Sequence, residues 1–404
     1  MEVREGYKQT EVGVIPSDWG VKKLMDIADV RTGPFGSSLH ERDYVQDGTP
    51  IITVEHLGEH GVVHENIPMV SDLDRKRLAA YALQKDDIVF SRVGSVDRNS
   101  LIKENENRWL FSGRLLRIRI HSPKICPTYL SYHFHQESTK QRIRSVAVGQ
   151  TMASLNTDIL KNISVALPPA KAEQTAIATV LSDADALIQS LEKIIAKKRD
   201  IKQGAMQELL TPKEGWVVKK LGEVGEVITG STPPTEVKSY WNGDIPWITP
   251  TDISFEKDIF YSEREITSLG LKVIRALPAN TLLVTCIASI GKNAILRKAG
   301  SCNQQINAIV PDCNNNVEFL YYLIENSKQY LLSKAGITAT NIISKKDFTE
   351  ITFSVPLLSE QTRIAAILSD MDAEIEALET HLAKYRQIKQ GMMQELLTGR
   401  TRLV

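Results

Sequence analysis

The 404-residue chain is poor in the features that usually place a protein at once. Its four cysteines, Cys126, Cys286, Cys302 and Cys313, are scattered with no C-x-x-C pair, so four reduced thiols are expected rather than a disulfide framework or a zinc ribbon. The longest mostly apolar run, residues 281–290, is far short of the roughly 20 residues that cross a bilayer, which excludes a membrane-spanning helix. The opening Met1-Glu2-Val3-Arg4-Glu5 is charged with no apolar stretch behind it; a secretory leader is not expected, and a cytoplasmic protein is. There is no surplus of either charge, since 49 Lys and Arg balance 49 Asp and Glu. Taken alone, that neutrality argues weakly against a nucleic-acid partner.

Catalytic signatures are missing as well. The sequence has no G-x-x-x-x-G-K-[ST], no G-x-G-x-x-G after a strand and no G-x-S-x-G. Pro168-Pro169 and Pro233-Pro234 lack the flanking residues of the Asn-Pro-Pro-aromatic signature of adenine methyltransferases. His56, His60 and His64 are spaced by four, but Gly58 and Gly61 between them predict a turn rather than a helical metal site. His133 and His135 flank Phe134 in a helical pattern and are read as surface or core residues.

What is present is local. Residues 88–125 hold eight Lys and Arg against three acids; residues 266–311 hold five and no acid. Two basic stretches within a neutral chain suit phosphate contact better than one would.

The chain is also duplicated. Residues 173–211 and 360–398 are identical at 26 of 39 positions at a constant offset of 187. Upstream, Trp19 through Leu24 echoes Trp216 through Leu221, and Pro50-Ile51-Ile52-Thr53 echoes Pro246-Trp247-Ile248-Thr249. Each half is therefore a diverged region followed by a nearly invariant one.

The invariant segments are helical by pattern. Apolar residues recur three and four apart, through Ile177, Leu181, Ile188, Leu191, Ile195 and Ile201 in the first copy, and through Ile364, Leu368, Ile375, Leu378, Leu382, Tyr385 and Ile388 in the second. Proline stands only outside them, at Pro168-Pro169, Pro212 and Pro356. Helices of about 38 residues would be roughly 57 Å long, and such stripes need partners. An antiparallel intramolecular coiled coil is expected, with a diverged domain at each end and pseudo-two-fold symmetry. A spacer of that length holds two domains one or more DNA turns apart, given a pitch of roughly 34 Å.

The diverged regions read as α/β (α+β) domains with a small bent sheet. Residues 88–90, 115–120, 281–286 and 305–310 read as strands; 129–145 and 318–334 read as amphipathic helices. Arg92, Arg98, Arg114 and Arg117 in the first domain and Lys292 in the second are candidate DNA contacts, with phosphate the expected target for Arg92, Arg114 and Lys292. Asn303, Gln305 and Asn307 fall on one face of an expected strand, and such amides can pair with adenine. The competing reading makes them buried amides that tie off backbone groups. Trp241 and Trp247 are core residues more readily than stacking platforms.

In this layout the chain resembles the specificity subunits of Type I restriction–modification systems. The resemblance rests on Gly230-Ser231-Thr232-Pro233, Tyr240-Trp241 with Ile245-Pro246-Trp247, Ile290-Gly291-Lys292 and Asn303-Gln304-Gln305-Ile306-Asn307, and on the repeated helix entries at Pro168-Pro169 with Glu173-Gln174 and at Pro356 with Glu360-Gln361. It implies target-recognition domains over 1–168 and 212–355, with conserved helical regions over 169–211 and 356–404. It further implies double-stranded DNA, two modification subunits and restriction subunits as partners. The chain itself would be non-catalytic and without cofactor; S-adenosylmethionine, ATP and Mg would sit on the partner subunits. The first half departs from the pattern, with Gly33-Pro34-Phe35-Gly36 and Phe111-Ser112-Gly113-Arg114, so the two domains should read different half-sites. A coiled-coil scaffold with protein-binding end domains and a stand-alone nuclease are the alternatives.

Overall fold

The computed structural model describes residues 4–34, 39–149, 153–254, 256–336 and 341–403. Phe35 and Gly36 of the first-half motif lie outside them. Two long helices dominate, Lys171–Leu209 and Leu358–Leu396, each of 39 residues. The chain divides into two compact units, Met1–Glu192 with His381–Val404, and Lys193–Thr380. Residues 171–192 and 381–396 of these helices fall in the first unit, and residues 193–209 and 358–380 in the second.

In the first unit an antiparallel sheet has the strand order Asn99–Leu101, Ile88–Ser91, Leu115–Ile120, Ala28–Thr32. A second sheet joins Leu110–Phe111, in parallel, to Thr49–Ile52, followed by Met69–Val70 and Tyr44–Val45. The strand Gly20–Lys23 pairs with Ser164–Leu167, tying the start of the domain to the residues that enter the long helix.

The second unit repeats the plan. Its larger sheet has five strands, ordered Gly225–Thr229, Ile306–Pro311, Thr281–Thr285, Asn293–Leu296, Asp258–Ile259. A smaller sheet pairs Ser301–Cys302, in parallel, with Trp241–Ile248. Val217–Lys220 pairs with Thr352–Val355 ahead of the second long helix. Each unit thus has more than the single sheet expected.

The amphipathic run at 129–145 is two helices, Pro127–His135 and Glu137–Val146, parted by Gln136 in an extended conformation. The run at 318–334 likewise parts at Ser327, between Val317–Asn326 and Lys328–Ser333.

Both long helices start on the same device. Buried Gln174 donates from Nε2 to Pro168 O and accepts the Cys126 N–H at Oε1. Buried Gln361 does the same with Pro356 O and the Asn316 N–H. Both satisfy groups left open at helix termini.

Within each unit the two helical segments run in opposite directions. In the first unit Lys389 pairs with Asp185 at 2.6 Å and Arg386 with Glu192 at 2.6 Å. Ile177, Ala178 and Leu181 share a core cluster with Met393, Leu396 and Leu397. In the second, Lys202 pairs with Asp372, Lys198 with Glu374 and Arg199 with Glu379, while Met206 and Leu210 share a cluster with Ile364, Ala365 and Leu368. Ile177, Leu181, Ile188, Ile195, Ile364, Leu368, Ile375 and Leu382 are buried, and Leu191 and Leu378 half-buried. The apolar stripe is narrower than the spacing suggested, because Ile201, Tyr385 and Ile388 face solvent at 45%, 38% and 43% exposure. Gly204 and Gly391 also lie exposed within the helices, and a Cβ at either would meet nothing within 4 Å. A helical glycine there costs about 1 kcal/mol relative to alanine, and no neighbour in either unit requires it.

A polar node joins each domain to its helices. Tyr132 donates to Asp185 Oδ2 at 2.7 Å, and His60 Nδ1 lies 3.0 Å from Asp185 Oδ1, beside Lys389. Burial pushes the Asp185 carboxyl up, but His60, Lys389 and Tyr132 hold it down at about 2. In the second unit Tyr322 donates to Asp372 at 2.6 Å, beside Lys202, and Lys257 pairs with Glu318 at 2.9 Å.

Candidate nucleic-acid interface

In the first unit the strand Ile88–Ser91 pairs antiparallel with Leu115–Ile120, so Arg92 leaves the one strand beside Arg114, which enters the other. The Arg92 N–H donates to Arg114 O at 2.9 Å, and the Gly33 N–H to Leu115 O at 3.1 Å. The backbone of Gly33 lies so close that a Cβ there would sit 2.1 Å from Ser112 O. The second unit builds the same corner. The Cys286 N–H donates to Gln305 O at 2.9 Å, the Gly230 N–H to Ile306 O at 3.1 Å, and a Cβ on Gly230 would sit 2.1 Å from Asn303 O. Arg114 and Gln305 therefore hold one position in two copies of a site. Arg98 and Lys292 hold another, since their carbonyls accept the Ser91 and Thr285 N–H groups at 2.8 and 2.9 Å.

In the first unit a cleft of about 910 Å³ opens at this corner. Arg92 and Arg114 border it, as do Tyr44, His56, Glu55 and Glu65. A hydrogen bond from Thr53, before any other influence, holds the Glu55 carboxyl below its usual value. Donors and acceptors side by side match base edges, which present both, better than phosphates, which only accept.

The cationic candidates separate. Arg114 and Lys292 are exposed, and Arg92 is half-buried with Nη1 3.4 Å from Gly113 O. Exposed Arg98 donates to Leu57 O. Arg117 leaves the set: it is 4% exposed on the central strand and pairs with Asp29 at 2.6 Å. Burial, with Arg119 beside it, lowers its pKa.

The amide face is also corrected. Residues 303–305 form a turn between the strands Ser301–Cys302 and Ile306–Pro311, so strand alternation does not apply. Asn303 is buried, and its Oδ1 accepts the Gln305 N–H at 3.0 Å. Asn307 is buried and accepts from Thr229 Oγ1 at 2.6 Å. Asn303 ties off the turn and Asn307 the neighbouring strand; half-exposed Gln305 and exposed Gln304 remain able to meet a ligand. The sequence carried no signal for Gln304 beyond its place in the motif, nor for exposed Arg264, whose guanidinium stacks 4.0 Å from the Trp241 ring centroid. Trp241 and Trp247 are buried and meet edge to face at 5.1 Å.

His56 ends a short helical turn, His60 lies at the tip of the hairpin Leu57–Gly58 with Gly61–Val62, and His64 follows that hairpin. No group of three or more His, Cys, Asp or Glu able to hold a metal occurs among the described residues. Nor, among them, is any helix long and apolar enough to cross a membrane.

Two copies of one mixed α/β domain, each followed by a long helix, define a tandem-repeat protein whose fold is that of solved Type I restriction–modification specificity subunits. The crystal structure of the S subunit from M. genitalium superposes with a TM-score of 0.62 over 98% of both chains at 15% identity. A structure described as showing complex assembly and conformational transition of the type I R-M system also gives 0.62, over 96% of this chain and 99% of that one at 15% identity. The profile of the Type I restriction modification DNA specificity domain matches twice, over residues 16–198 and 213–389, and the chain belongs to that family. A putative type I restriction enzyme MjaX specificity subunit of Methanocaldococcus jannaschii is 29% identical over 99% of this chain and 97% of its own length. The MjaIX specificity subunit of the same organism is 39% identical over 41% of this chain and 39% of its own.

Proposed function

We propose that the chain is the non-catalytic, sequence-reading subunit of a Type I restriction–modification complex, with one DNA-reading corner per unit. The observation that carries this is the duplicated corner itself. One backbone frame holds different side chains in its two copies, Arg114 against Gln305 and Arg98 against Lys292. A common frame with different side chains reads two different half-sites, so the target is bipartite and asymmetric. Arginine favours guanine and glutamine adenine.

The family membership supports partners beyond DNA: two modification subunits and, through them, restriction subunits, with S-adenosylmethionine, ATP and Mg held by those partners. The opposed helices in each unit support an antiparallel coiled-coil spacer with pseudo-two-fold symmetry. Such a complex works in the cytoplasm.

The test is the methylome of cells co-expressing this chain with its neighbouring methyltransferase gene, against cells lacking the chain. Adenine methylation at two short blocks around a fixed unspecified gap is expected. Arg92→Ala with Arg114→Ala should relax only one block. Methylation that ignores the chain, from a partner shown to be active, would sink the reading and promote the scaffold alternative.

A further inference from the structure

The strands Thr49–Ile52 and Trp241–Ile248 end on one frame. Each makes a parallel pairing, Ile52 with Phe111 and Ile248 with Cys302. Past that pairing the Ser112 N–H donates to Ile52 O at 2.9 Å, and the Asn303 N–H to Ile248 O at 2.8 Å. The turn that follows each strand is therefore held against the corner turn that carries Arg114 or Gln305. The two turns are capped alike. The Thr53 N–H donates to His56 Nδ1 at 3.1 Å, and the Thr249 N–H to Asp252 Oδ2 at 2.7 Å. Each threonine hydroxyl then meets the side chain two residues on. Thr53 donates to Glu55 Oε2, and the Thr249 and Thr251 hydroxyls share a hydrogen bond at 2.7 Å. Glu55 and Thr251 thus hold one position in the two copies, and both are exposed.

The frame carries a charged couple in the first unit, Glu55 with Arg114, and a neutral one in the second, Thr251 with Gln305. Glu55 and Arg114 border one cleft. The Thr53 hydrogen bond first, and His56 and Arg114 after it, hold the Glu55 carboxyl below its usual value, so at neutral pH it is charged and only accepts hydrogen bonds. A carboxylate on a surface that meets a polyanion weakens binding unless the DNA donates to it. Phosphates cannot donate; in the major groove the amino groups of cytosine and adenine can. Adenine N6 lies beside N7, an acceptor that repels a carboxylate, whereas cytosine presents N4 alone. We infer that Glu55 and Arg114 read the two halves of one C·G pair, Glu55 accepting from cytosine N4 and Arg114 donating to guanine O6 and N7. At the matching place in the other block, Gln305 pairs with adenine and the Thr251 methyl packs on the thymine methyl. The inference rests on the Type I reading above and names bases within its target.

The experiment uses the full chain with its neighbouring methyltransferase, in cells for the methylome and purified for competition between duplexes carrying each of the four base pairs at one position. The wild-type motif should hold a fixed C·G pair in one block. Glu55→Gln should lower the preference for that pair about tenfold and leave the other block unchanged. Glu55→Thr with Arg114→Gln should rewrite the same position from C·G to A·T, a result that a residue serving only to position its neighbours would not give. Where a variant no longer methylates, the duplex competition reads the same preference. Glu55→Gln that keeps its preference for C·G within about twofold overturns the inference and leaves the Type I reading standing. So does a wild-type motif with no C·G pair in either block. A wild-type complex that directs no methylation and prefers no duplex overturns both.

Discussion

Lys389→Met removes an ammonium from the first unit's polar node and keeps most of the stem. The pair it breaks is nearly dry, with the Lys389 and Asp185 side chains 7% and 8% exposed. Removing one partner of a buried pair strands the other charge and costs about 3–5 kcal/mol. His60 and Tyr132 still face Asp185, which sets the expected loss at the lower end, about 3 kcal/mol. Lys202→Met is the matched control, because its pair with Asp372 is the repeat of the same node but 21% and 32% exposed. Solvent screens it, and the expected loss is about 1 kcal/mol. The assay is urea denaturation read by amide exchange in Pro127–His135 for the first unit and Val317–Asn326 for the second. Adding Asp185→Asn to Lys389→Met should recover more than half of the loss. The Asp185 carboxylate is held at about 2, so its stabilisation is complete above about pH 4 and is lost as the pH falls toward 2. Lys389→Met should flatten that acid limb. Equal losses from the two lysine variants would refute the claim that burial sets the strength of the node.

Gly230→Ala places a Cβ 2.1 Å from Asn303 O and 2.3 Å from Cys302 O, both backbone, so the corner must open. It should erase one block of the methylation motif at a stability cost of about 1–3 kcal/mol, and Gly33→Ala should erase the other; an intact motif in either counts against the corner as the reading site. Burial pushes His133 down to about 3 and His135 to about 4 on the helix Pro127–His135, whereas Leu323 and Glu325 hold the corresponding places on the helix Val317–Asn326 of the second unit. A depressed histidine contributes stability that is full above its unfolded value near 6.5 and is lost as the pH falls. Between pH 6.5 and 4 the first unit should lose stability as the pH falls, ahead of the second. Urea midpoints of the two units that fall in parallel would refute it.

The long helices were legible because period and punctuation agreed: prolines outside, three-and-four spacing inside, and ends within two residues of the observed Lys171–Leu209 and Leu358–Leu396. The second sheet of each unit was not, because Leu110–Phe111 meets Thr49–Ile52 across some sixty residues with no periodic trace. Arginine on a strand is equally silent about direction. Arg117 and Arg114 belong to one basic stretch, yet one lies on the central strand against Asp29 and the other in the turn before it, open to the cleft. Asn303, Gln305 and Asn307 alternate as a strand face would, until the Asn303 side chain, accepting the Gln305 N–H, bends the chain into a turn. Identity between the repeats was readable from the start, but its meaning was not. Asp185 with Asp372 and Lys389 with Lys202 recur because each ion pair, Lys389 with Asp185 and Lys202 with Asp372, ties its unit together; Gly204 and Gly391 recur where a Cβ would meet nothing within 4 Å among the described residues. In sequence the two kinds of identity look alike. Burial separates them: a residue repeated inside is explained by its neighbours, and one repeated outside, at a cost to its own helix, is not.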